Sequence, residues 1–142
     1  MSSAQDYEQR VWTIVGAMAQ GRQIHLQWNT AVEARLHKTR ITQIQKELRL
    51  VKKDISLTKK AVNASYASER TKVGKGFGAG VATGLFGKKA VGRSNAAIRD
   101  NLRRNQLNAI APYEGVSRLI DDILLQLDQL KLQLDSWIAA NS

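Results

Sequence analysis

The chain has no cysteine, a single proline, two histidines, and few aromatic residues, which occupy 6% of its 142 positions. Without cysteine there is no disulfide framework, no thiolate metal ligand and no sulfur nucleophile. His25 and His37 stand twelve residues apart, outside the spacing of a helical His pair, and no acidic cluster accompanies either. No metal site is therefore expected. Asp121 and Asp122 are adjacent, so on a helix their side chains diverge and cannot share a proton. Ser94, Ser117 and Ser136 have no base beside them in sequence. Neither a catalytic residue, nor a cofactor, nor a small-molecule substrate is expected, and the chain reads as a non-enzyme.

Long apolar runs are missing as well. Nothing approaches the ~18 consecutive apolar residues of a membrane span. The first ten residues include Asp6 and Glu8 and lack the basic and apolar regions of a secretory signal. The expectation is a soluble, cytoplasmic protein.

What is present is periodicity. Six of the ten glycines fall within 74–87, which leaves long stretches free for helices. Tyr7, Val11, Ile14 and Met18 recur at 4-3-4 spacing, predicting a helix over about 4–20 with Gly21 as its stop. Ile24, Leu26 and Trp28 alternate with polar residues, the pattern of an extended strand with no second strand-like run to pair with. They read as an extended connector packed on helices. Thr30 and Glu33 form a capping box for a second helix.

Along that helix Ile41, Ile44, Leu48, Val51, Ile55, Thr58 and Val62 keep the 3-4 spacing of a coiled-coil seam. Leu50 and Leu57 are read as widening it, and Lys46, Lys53 and Lys60 form a basic stripe on the far side. His37, one turn before Ile41, reads as a partly buried structural histidine. Pro112 suits the first turn of a last helix, where its missing N–H costs nothing. From Tyr113 through Val116, Ile120, Ile123, Leu127, Leu130 and Leu134 to Trp137 the 3-4 spacing is unbroken, beside an acidic stripe of Asp121, Asp128 and Asp135. Leu125 and Leu132 lie opposite this seam, and a helix apolar on two sides is buried on two sides. Trp12, Trp28 and Trp137 read as packing anchors.

The expected fold is all-α: an antiparallel helical hairpin or coiled-coil-like bundle with a Gly-rich basic connecting segment. It forms one domain over 1–142. Within it lie an N-terminal helix and extended connector (1–29), a long basic heptad helix (30–71), the Gly-rich basic segment (72–93), a short basic helix (94–111) and an acidic heptad helix (112–140).

Charge is unevenly placed. Residues 72–104 hold eight Lys/Arg against one Asp/Glu, a net of +7, whereas 105–142 hold two against five, a net of −3. The basic residues are Lys72, Lys75, Lys88, Lys89, Arg93, Arg99, Arg103 and Arg104, and they are the candidate polyanion-binding set. Phe77 and Phe86 offer faces for stacking on unpaired bases. A phosphate-binding loop does not fit, because Gly87-Lys88 is followed by Lys89 and the required glycine position is Ala82. Gly76, Gly80 and Gly84 have the spacing that lets two helices approach closely. Shallow insertion of Phe77, Leu85 and Phe86 at an anionic membrane surface is a further alternative, and so is a plain solvated turn.

The functional expectation is a helical interaction module. Leu125 and Leu132 would mediate self-association, as a homo-oligomer, or docking to a helical partner. The basic segment would meet an anionic surface, nucleic acid first. The rivals are a peripheral membrane protein and a structural subunit of a larger assembly.

Overall fold

The computed structural model describes residues 2–20, 23–72 and 78–141, with side chains described for 2–16, 18–19, 23–69 and 96–141. The protein is all-α. In chain order it contains α1 (Ala4–Val15), a 3-10 turn (Gly16–Met18), two short strands β1 (Ala19–Gln20) and β2 (Gln23–Ile24), α2 (Ala31–Lys72) and α3 (Gly78–Asn141).

α1 begins at a reciprocal cap. The Ser3 hydroxyl accepts from the Asp6 N–H at 3.1 Å, and the Asp6 carboxylate accepts from the Ser3 N–H at 3.0 Å. It ends at Gly16, whose φ of 62° suits glycine and strains other residues, and whose N–H donates to the Trp12 carbonyl. The helix thus stops well before Gly21, the stop expected from the sequence, which lies outside the described residues. Shortening the helix also changes its buried stripe. Tyr7, Val11 and Val15 are buried, and Ile14, expected on that face, is only half-buried.

The residues released from α1 form β1, which pairs antiparallel with β2 so that Ala19 faces Ile24 and Gln20 faces Gln23. The His25 N–H adds a bond of 2.9 Å to the Met18 carbonyl. The extended stretch therefore finds its partner in residues that the apolar spacing assigns to a helix. A ladder this short leaves the fold class unchanged. Ile24, Leu26 and Trp28 pack on the core while His25 and Gln27 are exposed, as alternation requires.

At the start of α2 the Thr30 hydroxyl accepts from the Glu33 N–H at 3.1 Å, whereas the Glu33 carboxylate takes the Asn29 N–H at 3.0 Å. The expected capping box is present in its first half. Its return bond is displaced by one residue.

Contacts divide the chain into two compact units, one of Met1–Ser56 with Tyr113–Ser142, the other of Leu57–Pro112. The first holds a core of Tyr7, Val11, Val15 and Met18 with the α2 seam residues Ile41, Ile44, Leu48, Val51 and Ile55 and the α3 residues Val116, Ile120, Ile123, Leu127 and Leu134. Every α2 seam residue in this group is at most 2% exposed. In the second unit Thr58 and Ile110 are buried, and Gln106 donates to Asn63 at 2.6 Å.

α3 is one helix from Gly78 to Asn141, with Pro112 inside it. The separate helices expected over 94–111 and from 112 onward are continuous, and the 78–93 part of the expected connecting segment has helical backbone. Residues 96–111 contain no glycine and several strong helix formers, so nothing but Pro112 opposes continuation. An interior proline lacks the N–H that its turn would use and crowds the carbonyl four residues earlier. Pro112→Ala is therefore expected to stabilise the protein by up to ~3 kcal/mol, read as a higher urea midpoint. An unchanged midpoint would return Pro112 to the first turn of a separate helix.

Candidate interaction surfaces

The edge between α2 and α3 in the first unit is stitched by polar pairs. Lys38 pairs with Asp135. Gln45 donates to the Asp128 carboxylate at 2.7 Å. Lys52 meets Asp121 at 2.6 Å. Each step of seven residues up α2 is matched by a step of seven down α3. The acidic stripe expected on the last helix is thus engaged, by Lys38, Gln45 and Lys52 rather than by the stripe of Lys46, Lys53 and Lys60. The signal is present in the sequence, since 38, 45 and 52 flank the seam at one constant heptad position. Gln45 is 2% exposed and also accepts from Lys131 at 3.4 Å, so both ends of its amide have partners.

α1 lies along the other side of α2. Arg10 approaches Asp54 at 3.5 Å and stacks over the Tyr7 ring, and Tyr7 meets Tyr113 edge-on at 6.1 Å. At the opposite end Trp28 meets Trp137 edge-on at 6.5 Å. His37 bonds through Nε2 to the Gln27 carbonyl at 3.0 Å, a structural role that ties the connector to α2. Among the described residues no three His, Cys, Asp or Glu side chains gather in one place.

The predicted interaction residues Leu125 and Leu132 are exposed, at 59% and 67%, one heptad apart on the outward side of α3. Leu50 and Leu57 do not widen the seam: both are exposed, at 63% and 55%, two positions beyond the seam line. Leu50 instead lines a shallow groove between α1 and α2 with Asp6, Arg10, Thr13, Ile14 and Glu47. Leu36, which the apolar spacing does not single out, is also exposed and occupies the same heptad position as Leu50.

Of the candidate polyanion set, Arg99, Arg103 and Arg104 are exposed on α3 in the second unit, with Arg104 paired to Asp100 at 3.0 Å. Lys75 lies outside the described residues, as do the side chains of Lys72, Lys88, Lys89 and Arg93 and those of Phe77, Leu85 and Phe86. Among the described residues no helix is long and apolar enough to cross a membrane.

No protein-family model matches this chain, and no curated protein or solved structure is significantly similar to it.

Burial separates the seam from the outward leucines in a way that mutation reads directly. Leu127→Ala, at a fully buried position, is expected to cost ~2–5 kcal/mol in chemical denaturation. Leu132→Ala, on the outward side, should stay within ~0.5 kcal/mol in dilute monomer. Equal losses at the two positions would mean that the outward face is buried as deeply as the seam.

Proposed function

We propose that the protein is a non-enzymatic helical scaffold. Its first unit is a coiled-coil-like hairpin in which α2 and the C-terminal part of α3 run antiparallel, with α1 laid against them. The order of the contacts Lys38–Asp135, Gln45–Asp128 and Lys52–Asp121 supports that direction. The outward leucines associate with a second copy or a helical partner, and the basic segment touches an anionic surface, nucleic acid first.

The observation that carries the reading is the exposure of Leu125 and Leu132 on a helix whose seam is already filled. Isolated exposed leucines are ordinary. Two at one heptad position, on a helix with a complete core on its other side, form the start of a second seam. Changing both to Gln is expected to lower the oligomeric mass in light scattering at micromolar protein, with helicity preserved. An unchanged mass removes self-association through this face.

The anionic contact is supported by the net of +7 over residues 72–104 and by the exposure of Arg99, Arg103 and Arg104. A labelled generic oligonucleotide should bind in fluorescence anisotropy, with affinity falling steeply as salt rises, because each neutralised phosphate releases a counterion. Changing Lys88, Lys89, Arg103 and Arg104 together to Gln should weaken binding by about tenfold or more. Absence of binding at low salt excludes nucleic acid. Flotation with anionic vesicles would then point to a membrane surface.

A further inference from the structure

We infer that the first unit carries two different, complementary docking faces, and that the acidic-rimmed Leu125/Leu132 face of one copy seats on the Leu36/Leu50 face of the next, along its basic flank. This rests on the self-association half of the proposed function and specifies its geometry.

The outward side of α3 bears Leu125 and Leu132, with Asp122 beside them and Arg118 one heptad step before Leu125. Asp121, Asp128 and Asp135 border it on the side where they meet Lys52, Gln45 and Lys38 of the same chain. The outward side of α2 bears Leu36 and Leu50, with Gln43, also exposed, at the heptad step between them. The flank of this row away from the α1 groove carries Arg35, Lys46, Arg49 and Lys53, all exposed, and no acidic residue shares their heptad positions within the unit. The acids of α2 stand on the opposite flank, where Glu47 lines the groove and Asp54 is paired with Arg10 of α1. Ile14 of α1 adds an apolar wall where it lines that groove beside Leu50.

Leu125 and Leu132 stand one seven-residue step apart, about 10.5 Å along a helix, and Leu36 and Leu50 stand two such steps apart. A leucine of one row can therefore meet a leucine of the other, while Gln43 takes the step between the two leucines of α2. Charge selects which faces meet. Asp121 and Asp135 are taken up by Lys52 and Lys38 of their own chain, so a parallel pairing of α3 with α3 sets Asp122 and Asp128 against their own copies. A parallel pairing of the basic flanks of α2 does the same to Lys46, Arg49 and Lys53. Like charges facing across a contact disfavour both arrangements. Pairing α3 with the basic flank of α2 brings opposite charges beside an apolar strip. The chain itself contains both halves, so a second copy is a sufficient partner.

A contact between two different faces leaves one of each free on the growing assembly. It either closes into a ring or extends as a filament.

The test uses the full chain and two variants, Leu125→Gln/Leu132→Gln and Leu36→Gln/Leu50→Gln, in sedimentation velocity at matched concentrations. All four positions are exposed, and circular dichroism checks that each variant keeps its helicity. The parent chain should form species larger than a dimer as concentration rises. Each variant alone should be monomeric. Their equimolar mixture should give a one-to-one dimer and nothing larger, because each variant retains the face its partner has lost.

Parent-like assembly by Leu36→Gln/Leu50→Gln, with loss only in Leu125→Gln/Leu132→Gln, overturns the two-face arrangement but leaves self-association through α3 intact. A mixture that remains monomeric also overturns it. Parent-like assembly by Leu125→Gln/Leu132→Gln, or a monomeric parent chain, overturns self-association through α3 and the inference with it.

Discussion

The first unit depends on the seam in which Ile41, Ile44, Leu48, Val51 and Ile55 of α2 are buried with Ile120, Ile123, Leu127 and Leu134 of α3. Helices of this length in water owe their stability to a packed face more than to propensity. Burying one such side chain is worth about 1.5–3 kcal/mol, so the seam outweighs any single polar contact around it. α1 depends on the same surface: it is short, and Tyr7, Val11 and Val15 have a place only because the seam helices supply the other wall of their core.

A seam that repeats every seven residues is open to slippage by one heptad. The polar edge does not by itself prevent this. Moving α3 by seven residues brings Asp128 to Lys38, Asp121 to Gln45 and Glu114 to Lys52, and every partner remains acidic. Two other features break the degeneracy. Gln45 is buried between Asp128 and Lys131, and a slip replaces Lys131 with Leu124 or Ile138, leaving the amide carbonyl without its donor. The rings at the two ends act in the same direction, because Tyr7 with Tyr113 and Trp28 with Trp137 meet in only one register. A buried polar side chain that fixes alignment is the best-attested use of such groups in coiled coils.

Much of this is legible in the residues. The buried positions of both seam helices follow from 3-4 spacing, because burial on one face is what that spacing encodes. The place of Leu125 and Leu132 away from their seam can be read in the same way. The failures have separate causes. The end of α1 is hard to place because Ile14 and Val15 both suit an apolar face, and only the positive φ at Gly16 decides between continuation and a stop. β1 escapes notice because two residues carry no period. Pro112 suits a first turn, its favoured place, yet α3 continues through it. Leu50 is near the seam in sequence, but a residue two positions past a seam residue points well away from it.

The same charge asymmetry acts twice in the first unit, with different consequences. At the α2–α3 edge it is satisfied within the chain, by pairs such as Lys52–Asp121 whose side chains are about half exposed, at 45% and 53%. Exposed pairs of that kind contribute ~0–1 kcal/mol each, so they orient the helices more than they stabilise them. On the outward faces the asymmetry persists, with Lys46 and Lys53 on α2 and Asp122 on α3 set beside exposed leucines rather than across the edge from one another. Solubility alone needs charge, but it needs neither a sorting of signs by flank nor leucines recurring on the heptad step. On α2 the acids gather toward α1, where Arg10 takes up Asp54, and the flank left open to solvent is basic. Apolar side chains kept in water at seam spacing, with opposite signs beside the two rows, have the organisation of the seam itself turned outward. On the proposed self-association, the rule that joins α2 to α3 inside one chain would act again between chains, with the separation of signs choosing the faces that meet.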